Sequence, residues 1–219
     1  MIEIVNVSKS FSGVHALRGV DLLVTPGDRI AFVGANGSGK TTLLRSLLGL
    51  LRFSGQIKIH GIDVSRDPLH ALTRVAYIPQ VAPPIEASVR EVVRAHAMLR
   101  GIEPSAVDTC ASRLGLDLTE HRHSRFRDLS GGMRQKLLAA LALATRAEIL
   151  VCDEPTANLD ISARAAFFEQ LAERKDDSIS IFCSHRLEEV EHYVGRVVEL
   201  RDGAIVRDDR PRQLRAVAS

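Results

Sequence analysis

The stretch "RIAFVGANGSGKTTLLRSLLGLL" (29–51) constrains the fold more than any other part of the sequence. Residues 29–34 are an almost continuous apolar run that ends in glycine, which is typical of a strand buried in a parallel sheet. Residues 40–51 have helical spacing. Between them, "GANGSGKT" (34–41) matches G-x-x-x-x-G-K-[ST], whose glycines let backbone N–H groups turn toward phosphate. The stretch therefore predicts a phosphate site between a strand and a helix.

The residue types of this loop predict separate contacts with a nucleotide. The helix N-terminus supplies partial positive charge. Lys40 should reach the β- and γ-phosphates, and the Thr41 hydroxyl should hold Mg²⁺. The predicted nucleotide-binding residues of this segment are Gly34, Asn36, Gly37, Ser38, Gly39, Lys40, Thr41 and Thr42.

Two further apolar runs end in reactive side chains. "EILVCDEP" (148–155) predicts a buried strand ending in Asp153 and Glu154, and "SISIFCSH" (178–185) predicts a second one followed by His185. Ligands of open α/β sheets bind at the carboxyl ends of strands. Asp153 suits Mg²⁺, Glu154 suits activation of a water, and a neutral His185 suits contact with a γ-phosphate. A surface acid pair and an ordinary histidine are the alternatives.

The remaining pattern alternates strands with helices, which predicts a mostly parallel sheet covered by helices. "IEIVNV" (2–7) and "VDLLVT" (20–25) read as half-exposed strands, and "RVVELRDGAIVRDD" (196–209) reads as a hairpin around Asp202-Gly203. "RLEEVEHYV" (186–194) has helical spacing. Residues 83–128 show only helical periodicity, so we expect a helical lobe inserted there.

Composition argues against two classes of function. Twenty-nine Lys and Arg residues against 27 Asp and Glu residues leave a net charge of +2, and the basic residues are scattered, so no nucleic-acid partner is expected. The longest apolar run, "LLAALALA" (137–144), is far shorter than the ~20 residues that span a bilayer. The start "MIEIVNVSKSF" has no leader pattern, and the three cysteines lack metal-ligand spacing, so a reducing cytoplasm is expected.

A second glycine-rich helix start occurs at "LSGGMRQK" (129–136). Ser130 is a good N-cap, and Gly131 and Gly132 leave N–H groups bare at the positive end of a helix. This is either a simply capped helix or an anion site. Because the first loop already wraps one triphosphate, an anion site here makes sense if it closes over a nucleotide held by another copy.

In this order, the motifs resemble those of ATP-binding cassette (ABC) transporter ATPase subunits over residues 2 to about 210, with "GANGSGKT" as the Walker A loop, "LVCDEP" as Walker B and "LSGGMRQ" as the signature. The resemblance implies a P-loop NTPase fold of the ABC type: a mostly parallel core sheet, an N-terminal antiparallel β subdomain and an inserted α-helical subdomain. Residues 1–219 would form one ABC ATPase domain, with 1–82 and 129–219 as the core and 83–128 as the helical subdomain.

The resemblance also implies roles for individual residues. Gln80 in "YIPQ" matches the Q-loop, which senses Mg²⁺ and the partner. Ser130, Gly131 and Gly132 would contact the γ-phosphate of the opposing subunit. Asp160 in "NLD" matches the D-loop across the dimer, His185 matches the switch histidine, and Phe11 stands where an aromatic ring stacks on adenine, unless it is simply core. ATP and Mg²⁺ are the implied cofactors, bound by a head-to-tail dimer.

By this resemblance the favoured function is the ATPase subunit of a membrane transporter. Separate transmembrane permease subunits would dock on the helical lobe and place the chain on the cytoplasmic face of the membrane. A soluble ABC-type ATPase that acts as an assembly factor is the alternative. Intact Glu154 and His185 disfavour a regulator without turnover. Export is favoured over import because the sequence stops at Ser219 without a regulatory domain, and a homodimer is compatible with intact motifs.

Overall fold

The computed structural model describes residues 1–184 and 187–210. The strands are β1 (Ile2–Phe11), β2 (Val14–Val24), β3 (Arg29–Val33), β4 (Ser54–Ile59), β5 (Ile62–Asp63), β6 (Val75–Ile78), β7 (Ile149–Asp153), β8 (Ile179–Cys183), β9 (Arg196–Arg201) and β10 (Ala204–Asp209). The α-helices are α1 (Lys40–Leu47), α2 (Pro68–Leu72), α3 (Val89–Arg100), α4 (Pro104–Arg113), α5 (Leu118–His121), α6 (Gly131–Ala144) and α7 (Ile161–Ala172). The described residues form two compact units. The first consists of residues 1–75 together with the described residues from 177 on, and the second consists of residues 76–176.

The first unit contains an antiparallel sheet in the order β2-β1-β4-β5. Along β1 the buried Ile2 and Ile4 alternate with more exposed residues. The alternation shifts at Asn6, whose φ of 48° belongs to a register irregularity that brings Val7 back into the core. This sheet confirms the antiparallel N-terminal subdomain expected from the sequence.

The second sheet of this unit has β3 between β8 and β9, parallel to both, and β10 antiparallel to β9. Ile30, Ala31 and Phe32 are fully buried, as the apolar run predicts for a strand covered on both faces. The parallel strands and the 196–209 hairpin around Asp202-Gly203 confirm the sequence prediction.

A buried arginine joins several segments of the first unit. Arg196 is 7% exposed and donates two hydrogen bonds of 2.7 Å to the Asp208 carboxylate on β10. It also donates to Asp28 Oδ2 at 3.0 Å and to the Leu23 carbonyl at 2.8 Å. This pairing lowers the pKa of Asp208. The guanidinium thus fixes β9 against β2 and the turn that precedes β3.

The second unit combines strands β6 and β7, which are neighbours in a sheet, with helices α3 to α7. Helix α3 begins with a capping box between Ser88 and Glu91 and ends at Gly101, whose φ is 63°. Helix α6 is buried on nearly all sides from Leu137 to Ala144 and packs against α4. No helix in the described part of the chain has the length and apolar character needed to cross a membrane.

The helix predicted over 186–194 is not formed in its described part, 187–194. A single 3₁₀ turn over Leu187–Glu189 is followed by hydrogen-bonded turns. Three glutamates crowd this segment, and two of them stand three residues apart, which disfavours a helix. The segment is anchored instead by the buried Val190 and by Tyr193, whose ring meets Phe182 edge-on.

The turn of the β9–β10 hairpin makes a close backbone contact that can be tested. Gly203 and Gly61 both have positive φ (82° and 80°), but a Cβ on Gly203 would lie 2.8 Å from the Ala16 carbonyl oxygen, whereas one on Gly61 meets nothing within 4 Å. We expect Gly61→Ala to cost only the left-handed strain, about 1 kcal/mol. Gly203→Ala should cost about 2–4 kcal/mol because backbone must also move. Urea unfolding of both variants measures this, and equal losses would contradict the close contact.

Candidate functional site

The loop between β3 and α1, residues 34–39, has a backbone that only glycine adopts readily at three positions. The φ angles of Gly34, Gly37 and Gly39 are 142°, 83° and 106°. Gly39 is the N-cap residue of α1, and no side chain of the described residues caps that helix end. The first N–H groups of α1 therefore have no side-chain acceptor in the described part of the chain, which suits an anion.

This loop is held by close contacts with backbone of the same unit. A Cβ on Gly34 would lie 2.2 Å from the Leu200 carbonyl oxygen, and one on Gly39 would lie 2.6 Å from that of Ala16. The Gly203 N–H donates to the Ser38 carbonyl at 3.1 Å. The loop shape is thus fixed by the start of β2 and by the β9–β10 turn before any ligand arrives.

Lys40 closes the loop. Its side chain is 8% exposed, and its Nζ donates to the Gly34 carbonyl at 2.7 Å, to the Ala35 carbonyl at 3.0 Å and to Ser38 Oγ at 3.5 Å. The ammonium therefore lies at the mouth of the loop, next to the bare helix end. Asn36 and Gly37 are exposed, and the hydroxyl-bearing Thr41 and Thr42 are half-buried in the first turn of α1.

Phe11 lies on the surface, so the alternative that it belongs to the core is wrong. The side chain is at the end of β1, 45% exposed, and Lys9 Nζ is 4.8 Å from the ring centroid. A ring this exposed can stack on a flat ligand, and its neighbouring ammonium would favour an anionic one.

In the second unit the predicted acid pair stands at the end of a wholly buried strand. Asp153 is the last residue of β7 and is 2% exposed. Glu154 follows with a φ of 50°, a left-handed conformation that costs a non-glycine residue roughly 1 kcal/mol or more. Gln80 is exposed, two residues beyond β6, the strand beside β7. A strained backbone like that of Glu154 is typical of functional positions.

The signature segment forms a capped helix start, as the sequence predicts. Ser130 Oγ accepts a hydrogen bond of 3.2 Å from the Met133 N–H. A Cβ on Gly131 would meet nothing within 4 Å, whereas one on Gly132 would lie 3.1 Å from the Asn158 carbonyl oxygen. Gly131 therefore leaves the helix end open, and Gly132 allows the 158–160 segment to approach it.

Asp160 caps the next helix and is tied to α6. It accepts hydrogen bonds from the Ala163 N–H at 2.8 Å and from Ser162 Oγ at 2.6 Å, and its Oδ2 is 2.8 Å from Lys136 Nζ. The hydrogen bond from Lys136, followed by those from Ser162 and Ala163, holds the pKa of Asp160 far below its ordinary value. This carboxylate is ionised at any physiological pH.

The structure thus assembles the candidate residues within each unit. Phosphate-loop residues and Phe11 belong to the first; Gln80, the acid pair, the signature and Asp160 belong to the second. His185 lies outside the described residues. Sequence reasoning missed Lys136, the buried Gln135, whose Nε2 donates to the Pro155 carbonyl at 3.2 Å, and Gly203, which was read only as a turn residue. Of these three residues, only Gly203 could have been identified from the sequence, because Asp202-Gly203 is a turn pair that favours positive φ.

Comparisons with known proteins agree with this geometry. The family model described as "ABC transporter" matches residues 17–157. The chain is 35% identical over 96% of its length to the macrolide export ATP-binding/permease protein MacB of Azoarcus sp., of which it spans 34%. It is 30% identical over 91% of its length to the zinc uptake system ATP-binding protein ZurA of Listeria innocua, of which it spans 82%. It is 34% identical over 97% of its length to the sulfate/thiosulfate import ATP-binding protein CysA of Escherichia coli, of which it spans 61%.

Solved structures share the fold. An ATP-binding subunit of an ABC transporter superposes with a TM-score of 0.85 at 26% identity, covering 96% of this chain and 90% of that one. A dimeric post-hydrolysis state of an ATP-binding cassette bound to ADP and Pi superposes with a TM-score of 0.83 at 23% identity, covering 97% and 99%. The chain therefore belongs to the ABC transporter family and is an ATPase domain of the ABC type.

Proposed function

We propose that this chain is the ATP-hydrolysing subunit of a membrane transporter, in which two copies close head to tail around two ATP molecules. The observation that carries the proposal is the second helix start: one chain holds a complete phosphate loop and, in its other unit, an open, serine-capped helix end at Ser130 and Gly131. The second anion site has no nucleotide to serve in a single copy. Two solved cassettes that share the fold are described as dimeric, one of them bound to ADP and Pi.

In this proposal the first unit binds ATP. Phe11 stacks on the adenine, the backbone N–H groups of residues 34–39 surround the phosphates, and Lys40 exchanges its bonds to the loop carbonyls for phosphate oxygens. The opposing copy adds Ser130, Gly131, Gly132 and Asp160. This closure depends on the γ-phosphate, so hydrolysis releases it.

The donor set suits Mg²⁺, which prefers oxygen ligands. On the motif resemblance alone, the residues that would hold the ion are Thr41, through its hydroxyl, Asp153, through its carboxylate, and Gln80, through its amide oxygen. When bound, Mg²⁺ neutralises charge on the β- and γ-phosphates.

Glu154 is the proposed general base. Its carboxylate, which follows the last residue of β7 on a left-handed backbone, would polarise a water and accept its proton during attack on the γ-phosphate. Gln80 and His185 are proposed to orient that water. Asp153 is the last residue of β7, whereas Glu154 has already left the extended backbone of the strand, and we assign metal binding to the first and proton transfer to the second.

The proposed partner is a transmembrane permease subunit. Helices α3, α4 and α5 line a cavity of about 260 Å³ in the second unit. Val89, Val93 and Leu118 form apolar parts of its wall, and three arginines against one aspartate make its lining basic; these are Arg90, Arg94, Arg122 and Asp108. Charge complementarity favours an acidic cytoplasmic segment of a permease with an apolar anchor. The chain would then lie on the cytoplasmic face of the membrane.

Export is the direction we propose, supported by the likeness to the macrolide export protein MacB. The likeness to ZurA and CysA, named for uptake and import, makes import the outcome that identification of the permease has to exclude. A soluble assembly ATPase is the second candidate, favoured only if no membrane partner exists.

Glu154→Gln should keep ATP binding and lower turnover by roughly 10²-fold or more, because the amide cannot take up the proton of the attacking water. ATP should then trap a dimer that size-exclusion chromatography detects. Steady-state hydrolysis and nucleotide binding are measured side by side. Hydrolysis at the normal rate would refute the base assignment.

Ser130→Arg should leave the nucleotide affinity of the single copy unchanged and prevent dimer closure, because a bulky side chain fills the open helix end. The measurement combines equilibrium binding of a fluorescent ATP analogue at low protein concentration with ATP-dependent dimerisation in a Glu154→Gln background. An equal loss of monomer binding would show that Ser130 does not act across the dimer.

A tagged chain purified from detergent-solubilised host membranes should carry a polytopic protein with an acidic cytoplasmic segment. Arg94→Glu should reduce the amount of this partner that is captured about tenfold or more, because like charges then meet in the cavity lined by α3, α4 and α5. Arg52→Glu, at an exposed position of the first unit, is the matched control. Equal capture by both variants would refute the cavity as the docking site. Recovery with soluble proteins only would replace the transporter by the assembly ATPase.

A further inference from the structure

Two contacts with backbone carbonyls join the start of α6 to the segment 155–160. The close approach of Gly132 to the Asn158 carbonyl allows no side chain at residue 132 without displacement. Gln135, 2% exposed, donates from Nε2 to the Pro155 carbonyl at 3.2 Å. Both are contacts to backbone, so they fix the beginning and middle of the segment but leave its end at Asp160 to a third contact.

That third contact is the ion pair of Lys136 with Asp160. The Lys136 side chain is 14% exposed, so most of its stem is buried and the direction of its ammonium is fixed by packing; Nζ is 2.8 Å from Asp160 Oδ2. Asp160 is simultaneously the N-cap of α7 through Oδ1. One carboxylate therefore fastens the segment to two helices, and only one of these bonds is made by a charged side chain.

The segment connects two residues with different tasks. It begins directly after Glu154, and the helix it rests on begins after Ser130. In the proposed dimer, on which this inference rests, Ser130 serves the ATP of the opposing copy and Glu154 serves the ATP of its own. A rigid connection between them would make one site sense closure at the other.

We infer that Lys136 is a positioning residue, whose ion pair with Asp160 holds the segment 155–160 on α6 and couples the two ATP sites of the dimer. It touches no nucleotide. Its effect is a coupling free energy, which appears as cooperativity of ATP hydrolysis and not as a loss of binding.

The first arm of the test uses the nucleotide-free chain and needs no dimer. Lys136→Met keeps the length and removes the charge; it should speed amide hydrogen exchange about threefold or more at Ala157 and Leu159, whose N–H groups donate to the carbonyls of Glu154 and Thr156. Lys136→Arg should restore the wild-type rates. Unchanged exchange in Lys136→Met overturns the holding role.

The second arm measures the Hill coefficient of ATP hydrolysis at unchanged thermal midpoint. Lys136→Met should lower it to about 1, because the ion pair with Asp160 is lost. Lys136→Arg is the matched control: it keeps the positive charge and should keep wild-type cooperativity.

The outcomes separate the inference from the proposed function. A wild-type Hill coefficient of 1, or one that Lys136→Met leaves unchanged, overturns the coupling. Absence of any ATP-dependent dimer in wild-type protein refutes the proposed function, and the exchange measurement still decides whether Lys136 holds the segment.

Discussion

The shape of the phosphate loop depends on backbone meeting backbone without side chains between. Cβ atoms on Gly34, Gly39 and Gly203 would each lie 2.2–2.8 Å from a carbonyl oxygen of Leu200 or Ala16, closer than real Cβ atoms come. These contacts bring the N-terminal strand β2, the loop and the β9–β10 turn together. The loop N–H groups are consequently oriented before a ligand binds, and binding does not have to order them. Such preorganisation is what makes backbone dipoles effective against phosphate charge.

Two positive charges of the first unit, Arg196 and Lys40, differ in whether they remain free for a ligand. Arg196 is buried with Asp28 and Asp208 and has no freedom to reach a ligand. Within the described ranges, in contrast, Lys40 bonds neutral carbonyls and a hydroxyl, so its charge remains for an anion that displaces them. The carbonyl bonds keep the ammonium in place at modest cost, because a charge-assisted bond to phosphate is stronger than one to an amide oxygen.

Sequence reasoning succeeded where the determinants are local. The glycines of 34–39, the buried run before Asp153 and the serine before Gly131 each fix their conformation within a few residues. The helix prediction for 187–194 was wrong because the segment is held by tertiary contacts, which outweigh helical spacing. Val190 is buried, and Tyr193 packs against Phe182. Helix α2 was missed because it has only five residues, although Asp67 caps it and Pro68 starts it. The Lys136–Asp160 ion pair joins α6 to the start of α7, so the periodicity of either helix could not predict it.

Helices α6 and α7 of the second unit show why the N-cap residue differs from one helix to the next. Ser130 uses an acceptor lone pair for the Met133 N–H and keeps its proton, so the same hydroxyl caps α6 and can still donate to an anion. An aspartate there would cap equally well but would repel phosphate. Asp160 caps α7 with a full negative charge, which is tolerated beside a proposed anion site because Lys136 neutralises it at 2.8 Å. Removal of Lys136 would therefore leave the carboxylate at the start of α7 without the ammonium that neutralises it.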